Sequence, residues 1–155
     1  MDNYPRLLKL PERSFFLFGP RGSGKSTWLR QHLSGGYLID LLNEGKYQEL
    51  LARPQLFADE ISGVDPARWV IVDEAQRLPN LLNEVHRLIE KDGRKFALSG
   101  SSARKLRQGG VNLLAGRATR RLMFPLLPSE MGNDFNILSA LQIGTLPLEI
   151  GRAHV

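Results

Sequence analysis

Four residues at a fixed spacing, Gly19, Gly24, Lys25 and Ser26, carry the clearest chemistry in this chain. They satisfy G-x-x-x-x-G-K-[ST], the pattern of a loop that cradles phosphate. Gly19, Gly22 and Gly24 lack a Cβ, so the backbone can wrap closely and turn its N–H groups inward. A helix opening behind them presents its N-terminus to the same anion. Lys25 would reach the β- and γ-phosphates as a point charge, and Ser26 would offer a hydroxyl to Mg²⁺. Thr27 is a candidate for the α-phosphate. Pro20, Arg21 and Ser23 complete the loop, with Arg21 pointing to solvent or covering the phosphates. A nucleoside triphosphate is the ligand this pattern predicts.

A second site lies in WVIVDEAQ, an apolar run ending in two acids. Asp73 would hold Mg²⁺ through water, and Glu74 would polarise an attacking water. The alternative is an acid pair capping the helix that follows. Ser99 and Ser101 end the apolar run in FALSGSS. Parallel strands of one sheet end on one side, so either hydroxyl could sense the γ-phosphate or orient water; ordinary turn chemistry explains them equally. Arg104 and Arg117 are candidates for stabilising transition-state charge, in cis or from a neighbouring subunit, against plain surface arginines. His32, His86 and His154 show no metal-ligand spacing. Trp28, just past the loop, is expected to pack on the sheet.

The elements that must position these groups follow from hydrophobic patterning. The continuous apolar run at 14–18 reads as a strand buried on both faces, 35–40, 69–73 and KFALSGSS read as three more strands, and ATRRLMFPL, closed by Pro125, is a fifth strand candidate. Helices are expected from about 25 to 33, through LLNEGKYQELLARP up to Pro54, and from Leu78 to Ile89, where apolar residues recur at helical spacing and Gly93 stops the pattern. SARKLRQGG reads as a short basic helix or turn, and SEMGNDFNILSALQIGTLP as one or two helices. Strands alternating with helices imply an α/β fold with a parallel sheet covered on both faces.

With 155 residues there is room for one domain with a real core, and 42% hydrophobic with 24% charged content is ordinary for a globular chain. Zero cysteines exclude disulfides and thiolate metal sites and fit a reducing compartment. No apolar run approaches the ~20 residues of a membrane span, and MDNYPRLLKLPER has no signal-peptide core. A cytoplasmic, non-membrane protein is expected. Net charge is +5, and residues 94–121 hold eight Lys or Arg and no acid. That stretch is a candidate for contact with nucleotide phosphates or DNA, against a solvated basic face. The last seven residues, EIGRAHV, match the translation of a sequencing-library adapter. Residues 149–155 are therefore set apart as a non-native tail, and 1–148 taken as the domain.

Taken in order, FLFGPRGSGKSTWL, YLIDL, WVIVDEAQRLPNLLNEVHRLIE, FALSGSSARKL and LLAGRATRRLMFPLLPSEM resemble the AAA-type (AAA+) P-loop ATPase domain of a large bacterial and archaeal family. The resemblance runs from about Arg6 to Leu148. It implies five parallel strands in the order 5-1-4-3-2. It also implies ATP and Mg²⁺ held by Gly22, Gly24, Lys25, Ser26 and Asp73, with hydrolysis assisted by Glu74. Ser99 or Ser101 would take the sensor position, and Arg117 matches the family's LAGR. Members usually carry a helical lid and a C-terminal domain of unknown function, so this chain reads as a domain truncated at its C-terminus. Homo-oligomer formation is open.

An ATP-hydrolysing module coupled to a partner domain or nucleic acid is the leading expectation. A P-loop small-molecule kinase is the rival enzyme, although adjacent Asp73 and Glu74 favour water as acceptor. DEAQ also resembles a helicase motif, but a helicase needs a second lobe. A nucleotide-dependent switch without efficient hydrolysis is the non-enzyme alternative. No guanine-reading Asn-Lys-x-Asp appears, which tilts the base toward adenine.

Overall fold

The computed structural model describes residues 4–108 and 114–147. The tail set apart at 149–155, Leu148 and His154 lie outside the described residues. Five strands form one parallel sheet: β1 (Phe15–Phe18), β2 (Tyr37–Asp40), β3 (Val70–Asp73), β4 (Phe96–Gly100) and β5 (Thr119–Leu122). Their order is β2-β3-β4-β1-β5, which is the expected 5-1-4-3-2 read from the other edge.

Every residue of β1 and β3 is buried, which makes β1 apolar throughout and β3 apolar up to Asp73 at its carboxyl end. Alternate residues of β1 serve opposite faces. Phe15 and Leu17 pack with Trp28, Leu29, Ile71 and Met123 beneath α1 (Lys25–His32). Trp28 thus sits in the core, edge-on to Phe15 at 6.3 Å between ring centroids. Phe16 and Phe18 face the opposite layer. That layer is built from α2 (Glu44–Ala52), α3 (Gln55–Ser62), α4 (Leu81–Asp92) and Leu106 of α5 (Ala103–Gln108).

Local chemistry sets the helix ends. The Asn43 side chain accepts a hydrogen bond from Lys46 N at 3.0 Å and caps α2. Gly93, at φ 62°, turns the chain out of α4 in the left-handed conformation. Helix α3 was not expected from the sequence. Pro54 reads as the end of α2, but it also stands at the N-cap of a second helix that buries Phe57 and Ile61, one turn apart. After β5, the segment expected to hold one or two helices forms α6 (Pro128–Met131), a 3₁₀ turn (Gly132–Asp134) and α7 (Ile137–Ile143).

Candidate functional site

The carboxyl end of β1 runs into the glycine loop, and the loop into α1. Gly22 and Gly24 sit at φ 82° and 91°, a region that favours glycine. Gly24 O accepts from Trp28 N at 2.9 Å, which begins the helix. At the loop's entry, a Cβ on Gly19 would stand 2.2 Å from the Met123 carbonyl oxygen, just past β5. Gly19→Ala must therefore push the loop off the β5 exit. We expect a loss of about 1–3 kcal/mol, the usual cost of overpacking, read as a lowered urea midpoint.

Lys25 is buried at the first position of α1. Its Nζ donates to Gly19 O at 2.7 Å and Pro20 O at 3.0 Å. Burial lowers its pKa, opposed by the Glu74 charge and then by that of Asp73. One residue on, Ser26 Oγ donates to Asp73 Oδ2 at 2.6 Å, joining positions 47 residues apart. Ser99, fully buried beside Leu17 in the sheet register, donates to Asp73 Oδ1 and accepts from Glu74 N at 3.1 Å. Glu74 itself takes a left-handed backbone conformation, φ 59° and ψ 45°, before a 3₁₀ turn (Ala75–Arg77), and Gln76 Nε2 donates to its carboxylate. The ends of β1, β3 and β4 thus bring Lys25, Ser26, Asp73, Glu74 and Ser99 together.

Other expected residues fall elsewhere. Thr27 and Arg21 are exposed, and Ser23 is buried. Ser101 borders a cavity of about 400 Å³ with Phe18, Gly19, Pro20, Leu122 and Phe124, beside the loop. Arg104 is exposed on α5, whose start follows β4. Arg117 is not brought to the site within its own chain. It precedes β5, whose first residue Thr119 lies level with Phe15, so it sits at the amino end of the strands, with the loop at the carboxyl end. There its Nε donates to Glu90 Oε1 at 2.5 Å. Four strand residues at ~3.3 Å each already separate the two ends. His32 stacks on Trp28 at 4.2 Å, and His86 Nε2 lies 3.6 Å from Glu90.

The basic stretch at 94–121 does not form one face. Arg94 is buried, its guanidinium donating to Asp65 O and Ile61 O, both at 3.0 Å. Lys95 lies over the Trp69 ring at 5.5 Å, and Arg117 pairs with Glu90. Arg104, Lys105 and Arg107 are exposed on α5, and Arg120 on the edge strand β5.

Two residues that sequence reasoning missed brace the loop from outside. Arg6 donates to Ser23 O at 3.5 Å and to Phe124 O, and its Nε lies 3.4 Å from Glu130 Oε1. Glu130 accepts from Leu7 N at 2.9 Å and Leu127 N at 3.0 Å. The only local signal was a single acid set in the apolar run LMFPLLPSEM.

A family model described as the AAA domain matches residues 11–132. The chain belongs to the AAA domain family. No curated protein matches it. The AAA domain match spans the glycine loop, both acids at the end of β3, Ser99 and Glu130, and begins after Arg6. At family level this makes the chain an ATPase-like, nucleotide-binding domain. No helix among the described residues is long and apolar enough to cross a membrane.

Proposed function

We propose that the chain binds ATP with Mg²⁺ in the loop at 19–27 and hydrolyses the nucleotide. The observation that carries this reading is the Ser26–Asp73 hydrogen bond at 2.6 Å. A hydroxyl at the start of α1 and a carboxylate at the end of β3 form a hard-oxygen pair beside the Lys25 ammonium. One carboxylate, one hydroxyl and phosphate oxygens are a donor set that fits Mg²⁺, which prefers few protein ligands. When bound, the ion neutralises charge on the phosphate oxygens.

Within this reading the residues divide the work. Gly22 and Gly24 let the loop's N–H groups face the phosphates, and the N-terminus of α1 adds its dipole. Lys25 exchanges the carbonyls of Gly19 and Pro20 for phosphate oxygens. Ser99 fixes the Asp73 carboxylate and the Glu74 backbone. Glu74 takes a proton from water as the water oxygen bonds to the γ-phosphorus. The bond from that phosphorus to the β–γ bridging oxygen breaks, and its electron pair leaves on ADP.

Coupling to a partner domain or nucleic acid belongs to the same proposal. Arg104, Lys105 and Arg107 are exposed cations on α5, which follows β4, and are the groups for DNA contact. Calorimetric titration with ATP, with and without Mg²⁺, tests the binding half. Lys25→Ala should weaken Kd by about 10- to 100-fold, the ~1.5–3 kcal/mol of a charged hydrogen bond. An unchanged Kd would remove Lys25 and the loop from the site.

A further inference from the structure

One side chain of the site is left unused by that mechanism. Gln76 stands in the 3₁₀ turn after Glu74 and donates from Nε2 to Glu74 Oε2. The left-handed backbone at Glu74 and the tight turn after it bring these two side chains into one space. The other end of the carboxamide is equally placed. Gln76 Oε1 lies 2.8 Å from where a Cβ on Gly100 would stand, at the carboxyl end of β4. Glycine is what leaves room for it there. Oε1 is buried and has no hydrogen-bond partner among the described residues.

The amide orientation follows from its neighbour. An ionised carboxylate only accepts, so the NH₂ end must face Glu74 and the oxygen must face away. A buried amide oxygen without a donor costs about 1–3 kcal/mol. The donor it lacks has to be small, because Gly100 and Phe18 crowd the space. A water molecule would satisfy both groups, giving one hydrogen bond to Gln76 Oε1 and one to the Glu74 carboxylate. Gly100 O accepts from Gly19 N at 3.3 Å, so this space adjoins the entry of the phosphate loop.

We propose that Gln76 is a positioning residue for hydrolysis: its Nε2 holds the Glu74 carboxylate toward Lys25, and its Oε1 accepts from the water that Glu74 deprotonates. Gln76 forms and breaks no covalent bond; it orients the two partners of the proton transfer. The inference rests on the hydrolase reading above.

Four variants test it: Gln76→Met, which keeps the side-chain length over Gly100 but removes both polar ends; Gly100→Ala, which displaces the carboxamide; Gln76→Glu; and Glu74→Gln as reference. Gln76→Met and Gly100→Ala should lower kcat by about 10- to 100-fold, the scale set by misorientation, with KM for MgATP within about twofold. For Gln76→Glu, activity relative to wild type should rise as pH falls, because two neighbouring carboxyls that share a proton restore a donor to Glu74. A merely structural role would leave that ratio flat. Without nucleotide, the Gln76 side-chain NH₂ resonances of ¹⁵N-labelled protein should move in Glu74→Gln. Wild-type kcat in Gln76→Met, a flat pH ratio, or unmoved NH₂ resonances would overturn the proposal. Wild-type turnover that Glu74→Gln leaves undiminished, or no turnover in the wild type, would instead overturn the hydrolase reading itself.

Discussion

Glu74→Gln is expected to lower phosphate release from MgATP by about 100- to 10,000-fold, the range for removing a positioned general base. Nucleotide affinity should stay close to wild type. The two side chains have the same length, and the hydrogen bond from the residue 74 N–H to Ser99 Oγ, 3.1 Å in the native chain, does not depend on the carboxylate. Asp73 keeps its hydrogen bonds from Ser26 and Ser99, so the proposed ion site is untouched. Lys25 keeps the Asp73 charge that helps offset its burial. Single-turnover phosphate release and a titration with ATP separate the two effects. Retained turnover would remove Glu74 from the role of base.

The second large effect is expected in stability. Glu130→Ala should cost about 3–5 kcal/mol, the penalty for breaking a buried ion pair from one side. The Glu130 side chain is 4% exposed and that of Arg6 11%. Removing the carboxylate strands the Arg6 charge and leaves the Leu7 and Leu127 N–H groups without their acceptor. Against the ~5–15 kcal/mol that holds a typical domain folded, that loss is severe. Glu130→Gln keeps an acceptor oxygen and should cost less. The damage should also reach the site, because Arg6 ties this corner to the loop through Ser23 O. Urea unfolding of both variants, with nucleotide affinity measured below the transition, reads the two consequences.

Particular residues show why part of this was legible in the sequence. Phe15–Phe18 and residues 70–72 are buried on both faces, so their apolar character is uninterrupted and their strand nature is local information. The phosphate loop is legible for a related reason: its spacing fixes a backbone path, and Gly22 and Gly24 do take the left-handed conformations that glycine favours. The five-strand order also agrees with what the resemblance implies.

What stayed hidden depends on partners distant in the chain. Arg94 counts as one more cation in a basic stretch, yet it is buried against carbonyls of residues 61 and 65. Arg117 sits two residues before β5, and only the parallel register with β1 reveals that this is the wrong end of the sheet for the loop. Ser99 reads as turn or sensor. Its contacts with Asp73 and Glu74 N require β3 and β4 to be neighbours. Pro54 stops one helix and stands at the N-cap of another because a proline lacking an N–H is tolerated at a helix start.

The most direct test is phosphate release from the purified chain with MgATP, measured beside Lys25→Ala. Release by the native sequence that disappears in the variant is the predicted result, since Lys25, Ser26 and Asp73 then form one working site. Equal release from both proteins would contradict it, because turnover would then owe nothing to the glycine loop.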